Sequence, residues 1–406
     1  MDSVIYGIEV SYYDANKIKT KTYEKNNVSY NILNYDNTIL CSDDYYSSFY
    51  RSVIVANPEN RILCFAPDKS VENFRKEYDD KSIIANDIVE GTMINLFYDY
   101  RIQKWELSTR GAIGANYFYY RNQYAVDSDK TKKQPTFYQM FLDALRACEG
   151  QTLNDIVLLN EFSKNCCYSF VLQHPDNHIV LNIETPTVYL VGVYEIIDEN
   201  RVKYIPSTDY EKWDFLQNAQ VIQYPKSHRF TGIENMKETY CSIQQPYTHL
   251  GIMFTNSETG ERVVAKNPNY EEIKVLRGNN PNLQYQYLCL RRMGKVMDFV
   301  NYFPQYKKLF YNFYTDFNNF VTNVHCSYVT YYIQKQEVEI SKKYFPHIYK
   351  IHHSIYLPSL QTENPMIIRR KIVQDYFDAM APREVLYHLN YDVRLYFREK
   401  NEDPIE

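Results

Sequence analysis

Two histidines four residues apart with an aspartate between them, His174, Asp176 and His178, could hold a metal ion. On a helix that spacing would put both imidazoles on one face, within reach of one cation. Pro175 and the β-rich flanking run argue for a turn instead. Cys166 and Cys167 offer a thiol nucleophile, but their apolar context, CCYSFVL, suits buried small hydrophobes better. His352 and His353 are adjacent and would point different ways. RGAIGA at 110–115 has glycines of the kind that cradle phosphate, yet it lacks a Lys-Ser/Thr ending and leads into an aromatic strand-like run.

These side chains must be positioned by two kinds of element. Residues 1 to about 282 alternate short β-rich runs with turn residues, as in NRILCFAPDKS, YSFVLQHPDNHIVLN and HLGIMFTNSETGERVVAKNP, several of them hairpin-like. One helix is expected at TFYQMFLDALRAC, where Phe137, Met140, Phe141, Ala144 and Leu145 share a face, and QTLNDIVLLNEF offers a second. The texture changes after LRGNNPNL. KVMDFVNYF and YKKLFYNFYTDFNNFVTNV have helical spacing with an interruption at Pro304, and Ile368, Ile372, Val373, Tyr376 and Met380 form one stripe, read as core. The expectation is an α+β domain over 1–282, rich in antiparallel strands, and an all-helical domain over 283–406. AVDSDKTKKQP at 125–135 reads as an exposed loop.

With 406 residues and 45% hydrophobic side chains the chain can bury a sizeable core. Its 42 tyrosines beside 2 tryptophans and 11 glycines point to an AT-rich genome more than to chemistry. The net charge of −5 gives no global reason to bind nucleic acid. From residue 283 onward 16 Lys+Arg face 13 Asp+Glu, leaving 29 against 37 before it, so a slightly basic patch or an ordinary solvated face is compatible with the helical part. Eight scattered cysteines without a CxxC pair suit free thiols in a reducing compartment. The start lacks a signal-peptide pattern and no stretch reaches the ~18 apolar residues of a membrane span, so a soluble intracellular protein without membrane contact is expected.

The order of blocks is the specific signal. YRSVIVANPENRILCFAPDKSVENF (50–74) is followed by IVEGTMINLFYD, WELSTRGAIGA, YSFVLQHPDNHIV, LGIMF and VVAKNPNYEEIKVLRGN. Over about residues 50 to 280 this series resembles the RNA ligase family of the bacteriophage T4 RNA ligase 1 type. It is more similar still to the ligase-related proteins of large nucleocytoplasmic DNA viruses. The resemblance implies an RNA/DNA ligase (ATP-grasp-like) nucleotidyltransferase core of antiparallel sheets with helices.

Position by position, the resemblance implies a degenerate catalytic centre. The family's first motif is Lys, any residue, an acidic or polar residue, then Gly; here Ile88, Val89, Glu90 and Gly91 occupy it, so the lysine that would attack an α-phosphate is absent. In the third motif Phe170 remains as an aromatic able to stack on a base, while the ribose-side carboxylate has become Val171 and the motif continues to Pro175, Asn177 and His178. The metal-binding Glu of the fourth motif is Leu250, and the first lysine of the fifth is Val264, with Lys266 kept. Four aliphatic residues at charged positions imply an old pocket that is filled and dry. Arg51 matches an arginine ahead of the first motif, and Arg110 lies on the segment after it; each suits an anion or an ordinary salt bridge. Glu90 could hold a ribose or face solvent, and Lys266 could meet a phosphate or be solvated. Lys69 and Lys81 are the nearest upstream lysines that could stand in as nucleophile.

Three functions follow from the resemblance. The first is a catalytically silent RNA ligase-like protein, without cofactor, binding RNA ends or viral proteins as a scaffold in a viral nucleic-acid or transcription-associated assembly, located in host cytoplasm or virion. The second is an active ATP-dependent RNA ligase or adenylyltransferase with a relocated lysine, using ATP and Mg²⁺. The third is a structural virion protein without nucleic-acid contact.

Overall fold

The computed structural model describes residues 4–10, 16–36, 38, 45–75, 77–118, 135–177 and 179–399. His178 and most of the expected 125–135 loop lie outside them. The described residues form two compact units, one ending at Arg277 and one beginning at Gly278, five residues before the boundary expected at 282/283.

The first unit is mixed α+β with three sheets. The largest runs in the order Ile5–Gly7, Arg201–Ile205, Thr187–Ile196, Cys166–Gln173, Thr92–Asp99, Lys104–Thr109, Ala112–Ile113, antiparallel throughout, with Ile222–Gln223 pairing parallel to Thr187–Ile196. Both faces are covered, which is why its strands read as nearly continuous apolar runs. Leu96, Tyr168 and Val193 pack on one side with the helix Phe137–Ala144. Their neighbours Phe97, Cys167 and Tyr194 turn to the other side, against the four-stranded sheet Ile18–Lys25, Val28–Tyr35, Val53–Asn57, Ile62–Cys64.

The third sheet has the order Ser227–His228, Ile83–Asp87, Gly251–Asn256, Arg262–Lys266. Ile252, Phe254, Val263 and Ala265 pack beneath it with Met236 of the helix Ile233–Tyr240. Strand alternation therefore sends Met253, Thr255 and Arg262 to the opposite face.

The helix expected at 136–148 begins at a capping box: Thr136 and Gln139 exchange side-chain and backbone hydrogen bonds, and all five predicted face residues are buried. The second expected helix is instead two short 3₁₀ turns, Leu153–Asp155 and Val157–Glu161. Asp155 accepts from the Thr152 amide at 2.8 Å and closes the first turn, after which Ile156 takes extended backbone and is buried.

The second unit is helical. Helix Val296–Tyr302 ends before Pro304, and a 3₁₀ turn leads into Lys307–Tyr328, whose Phe310, Phe313, Phe317, Phe320 and Val324 are buried. On Arg370–Ala379 the buried line runs through Val373 and Phe377, with Tyr376 half-buried, so Phe377 takes the place expected of Met380. No helix among the described residues is long and apolar enough to cross a membrane.

Candidate functional site

A cleft of about 370 Å³ opens within the first unit, large enough for a mononucleotide. The small sheet contributes Asp87, Met253, Thr255 and Arg262, the large sheet Val171 and Gly192, and the segment between them Ile88 and Gly91. Ile88 donates its amide to the Gly251 carbonyl at 3.0 Å, which ties that segment to the small sheet. Gly91 is required by close approach: a Cβ there would stand 2.4 Å from the Leu172 carbonyl oxygen. Gly192 is similar, since its Cβ would meet Pro67 at 2.8 Å.

Three cationic side chains, Arg51, Lys69 and Arg262, line the same space. Burial, then repulsion from Arg262 and Arg110, lowers Arg51 to about 10, and it remains a cation at neutral pH. Arg262 reaches Asp68 through Nε at 3.4 Å and also donates to the Asp68 carbonyl. Burial raises the Asp68 carboxyl to about 6 in spite of Arg262, Arg51 and Arg75. The ring of Tyr35 carries Arg110 at 4.7 Å and Lys69 at 5.7 Å, an arrangement that holds like charges near one another. Cations crowded around one buried carboxylate make a site that favours an anion.

The structure brings together Arg51, Ile88, Gly91 and Val171 from the sequence-derived set. It corrects others. Phe170 is not available to stack on a base: it is buried against Phe141, with ring centroids 5.5 Å apart, because its neighbour Val171 faces the cleft. Glu90 is buried, and its carboxylate accepts from the Val180 and Leu181 amides and the Tyr270 hydroxyl, so it neither holds a ribose nor faces solvent. Lys266 is exposed and pairs with Glu271 at 3.4 Å, away from the cleft lining. Arg110 touches the site through Tyr35.

The expectation of a filled, dry pocket is overturned. Ile88 and Val171 form wall, but Leu250 is buried elsewhere and Val264 does not line the space, so the four aliphatic residues do not converge. Of the two alternative lysines, Lys69 lines the cleft and Lys81 is exposed in the 3₁₀ turn Asp80–Ser82. His174 sits in a turn, its Nδ1 accepting from the Asp176 amide at 3.0 Å. Cys166 and Cys167 are buried thiols, and burial pushes Cys166 up to about 11. Sequence reasoning missed Arg262, although alternation along Arg262–Lys266 puts it on the same face as Lys266. It also missed Asp68 and a cluster beside the cleft, Asp87 with His228 and His249.

The chain is similar to RNA ligase-like nucleotidyltransferases, as the motif order implied. It is 29% identical over 112 residues to an RNA ligase of Rhodothermus phage RM378, a match covering 27% of this chain and 23% of that protein. It is 27% identical over 189 residues to the immediate-early protein ICP-46 homolog of Invertebrate iridescent virus 6, covering 43% of this chain and 39% of that one. The chain thus spans well under half the length of either relative. Solved structures similar to it include an RNA ligase of Naegleria gruberi with ATP and Mn (TM-score 0.33, 10% identity, 48% of this chain and 51% of that one). Another is a putative ATP-dependent DNA ligase from Aquifex aeolicus (TM-score 0.41, 13% identity, 72% and 77%). No family model matches the chain.

Proposed function

We propose that this RNA ligase-like protein binds a nucleotide phosphate, free or at an RNA end, in the cleft without forming a covalent adduct. The carrying observation is that Ile88 occupies the cleft wall at the motif's lysine position while Arg51, Lys69 and Arg262 line the same space. Isoleucine has no lone pair with which to attack phosphorus, whereas the arginines can still neutralise phosphate oxygens. Such a protein would act as an RNA-binding scaffold in a viral nucleic-acid assembly, a setting supported by the viral origin of both sequence relatives.

Incubation with α-labelled ATP and Mg²⁺ or Mn²⁺ is expected to leave no label on the denatured protein. Reversible binding of ATP or a 5′-phosphorylated oligoribonucleotide is expected to weaken about tenfold in Arg51→Ala, equivalent to about 1.4 kcal/mol, and to fall with added salt. A retained adenylyl group, or binding indifferent to Arg51 and to salt, would overturn the reading.

Lys69 supports a second, covalent reading, because it lines the cleft that Ile88 walls. Its Nζ would attack the α-phosphorus of ATP, lose a proton and release pyrophosphate. An adduct mapped to Lys69 and abolished by Lys69→Arg would establish that reading in place of the first.

The cleft also predicts a pH dependence. Below pH about 6 Asp68 is neutral, and above it the carboxylate neutralises the arginine charge and repels a bound anion. Affinity for a nucleotide phosphate should therefore fall about threefold to tenfold as pH rises from 5 to 7. Titrations of wild type and Asp68→Asn check this: the ligand's own ionisation is common to both, so the ratio of their dissociation constants isolates Asp68. A ratio constant with pH would contradict it.

A further inference from the structure

We propose that Asp87, His228 and His249 form a divalent metal site of the zinc type beside the cleft. The three residues come from separate parts of the small sheet. Asp87 ends the strand Ile83–Asp87, His228 ends the edge strand Ser227–His228, and His249 stands just before Gly251–Asn256. Asp87 pairs with Ile252 and His228 with Ala85, which brings all three to one end of the sheet.

Their donor atoms converge. Nε2 of His228 lies 2.6 Å from Asp87 Oδ1, and Nε2 of His249 lies 3.0 Å from the same oxygen. The three donor atoms all lie within 4.8 Å of one another. Nδ1 of His249 is 3.2 Å from the Tyr240 carbonyl, so that nitrogen carries a proton and donates it. This is the outer hydrogen bond that fixes a ligating histidine, leaving the Nε2 lone pair for a metal. That nitrogen faces a carboxylate oxygen at 3.0 Å, an arrangement that needs either a proton on Nε2 or a metal ion shared between the two. The ring of Tyr240 packs on both imidazoles, 4.6 Å from His228 and 5.7 Å from His249, and restricts their rotation.

The donor set suits zinc. Two imidazoles and one carboxylate are ligands of a catalytic-type Zn²⁺ site, which keeps a further position open. Metal–ligand distances of about 2.0–2.2 Å separate tetrahedral donors by roughly 3.3 Å, so the present contacts need open only by side-chain adjustment of under about 1 Å. All three side chains are partly solvent-accessible, giving an entry path. Asp87 also lines the cleft, so a bound metal would add positive charge next to it. The inference does not rest on the nucleotide reading.

The test uses the full chain, stripped by chelation, loaded with Zn²⁺, desalted and assayed for metal, with Co²⁺ as a spectroscopic substitute. One metal per chain is expected, with visible d–d bands of a low-coordinate site and no thiolate charge-transfer band. The last condition separates this site from the exposed Cys148 and Cys326. Asp87→Asn and His249→Gln should each weaken Zn²⁺ binding at least tenfold with the far-ultraviolet dichroism unchanged. No retained metal in wild type, equal retention by both variants, or a thiolate band with Co²⁺ would overturn the proposal, leaving a hydrogen-bonded His-Asp-His cluster. Should a variant fail to fold, the wild-type metal content and Co²⁺ spectrum still decide between these outcomes.

Discussion

Phe170→Ala is expected to destabilise the first unit by about 3–5 kcal/mol, the cost of truncating a phenylalanine in a close-packed core. The ring is 1% exposed and meets Phe141 edge-on at 70°. It belongs to the same core as Ile94, its cross-strand partner, and Leu172. The measurement is denaturant unfolding followed by tryptophan emission. Both tryptophans of the chain, Trp105 and Trp213, lie in or against this core, so the signal follows it. The midpoint should fall at unchanged slope. Nucleotide binding by the folded variant should match wild type. A midpoint within about 1 kcal/mol of wild type together with weakened binding would instead put the ring on a base, since a lost stacking contact costs about 1–3 kcal/mol of affinity.

That position also shows how far the sequence could be read. Alternation along Cys166–Gln173 dictates that Phe170 and Val171 face opposite ways. It does not say which way is the cleft, because this sheet is covered on both sides and this strand carries apolar residues on both faces. The motif order placed both residues in the site, and strand geometry allows only one. The helix Phe137–Ala144 was legible from its one apolar stripe, although the stretch read as helical ran on to Cys148 and the helix ends at Ala144. The stretch 151–162 carried similar composition and its own capping box at Thr152 and Asp155, but extended backbone at the buried Ile156 breaks it into two short turns.

The site divides in the same way. Arg51 and Gly91 were legible because their blocks keep their order, and Gly91 has a steric reason to be glycine. Arg262 was hidden by attention to Val264 and Lys266, although all three share one face of the strand. The openness of the cleft could not be read: four aliphatic replacements suggest a plug only if they converge, and Leu250 and Val264 do not. Asp87, His228 and His249 are 141 and 162 positions apart, joined by strand pairing alone, and such a cluster leaves no spacing pattern in sequence.

Glu90→Ala should cost about 3–5 kcal/mol of stability, because it removes a buried acceptor and leaves its donors unsatisfied at about 1–3 kcal/mol each. The carboxylate receives the Val180 amide at 3.1 Å, the Leu181 amide at 3.0 Å and the Tyr270 hydroxyl at 2.8 Å. The Glu90 carbonyl accepts from the Gln173 side chain at 2.8 Å, which leaves the backbone pinned after substitution. Tyr270 opens the final helix of this unit, Pro268–Arg277, so Glu90 fastens that helix and the 180–181 segment to the turn that carries Ile88 and Gly91. Glu90→Gln keeps one acceptor oxygen and should recover part of the loss, by about 1–2 kcal/mol relative to alanine. A ribose-holding role predicts the reverse ranking of effects: near-normal unfolding midpoints in both variants, with nucleotide affinity reduced. The same tryptophan-detected unfolding and a binding isotherm on the folded variants separate the two, and the geometry commits Glu90 to holding the cleft in shape without touching what it binds.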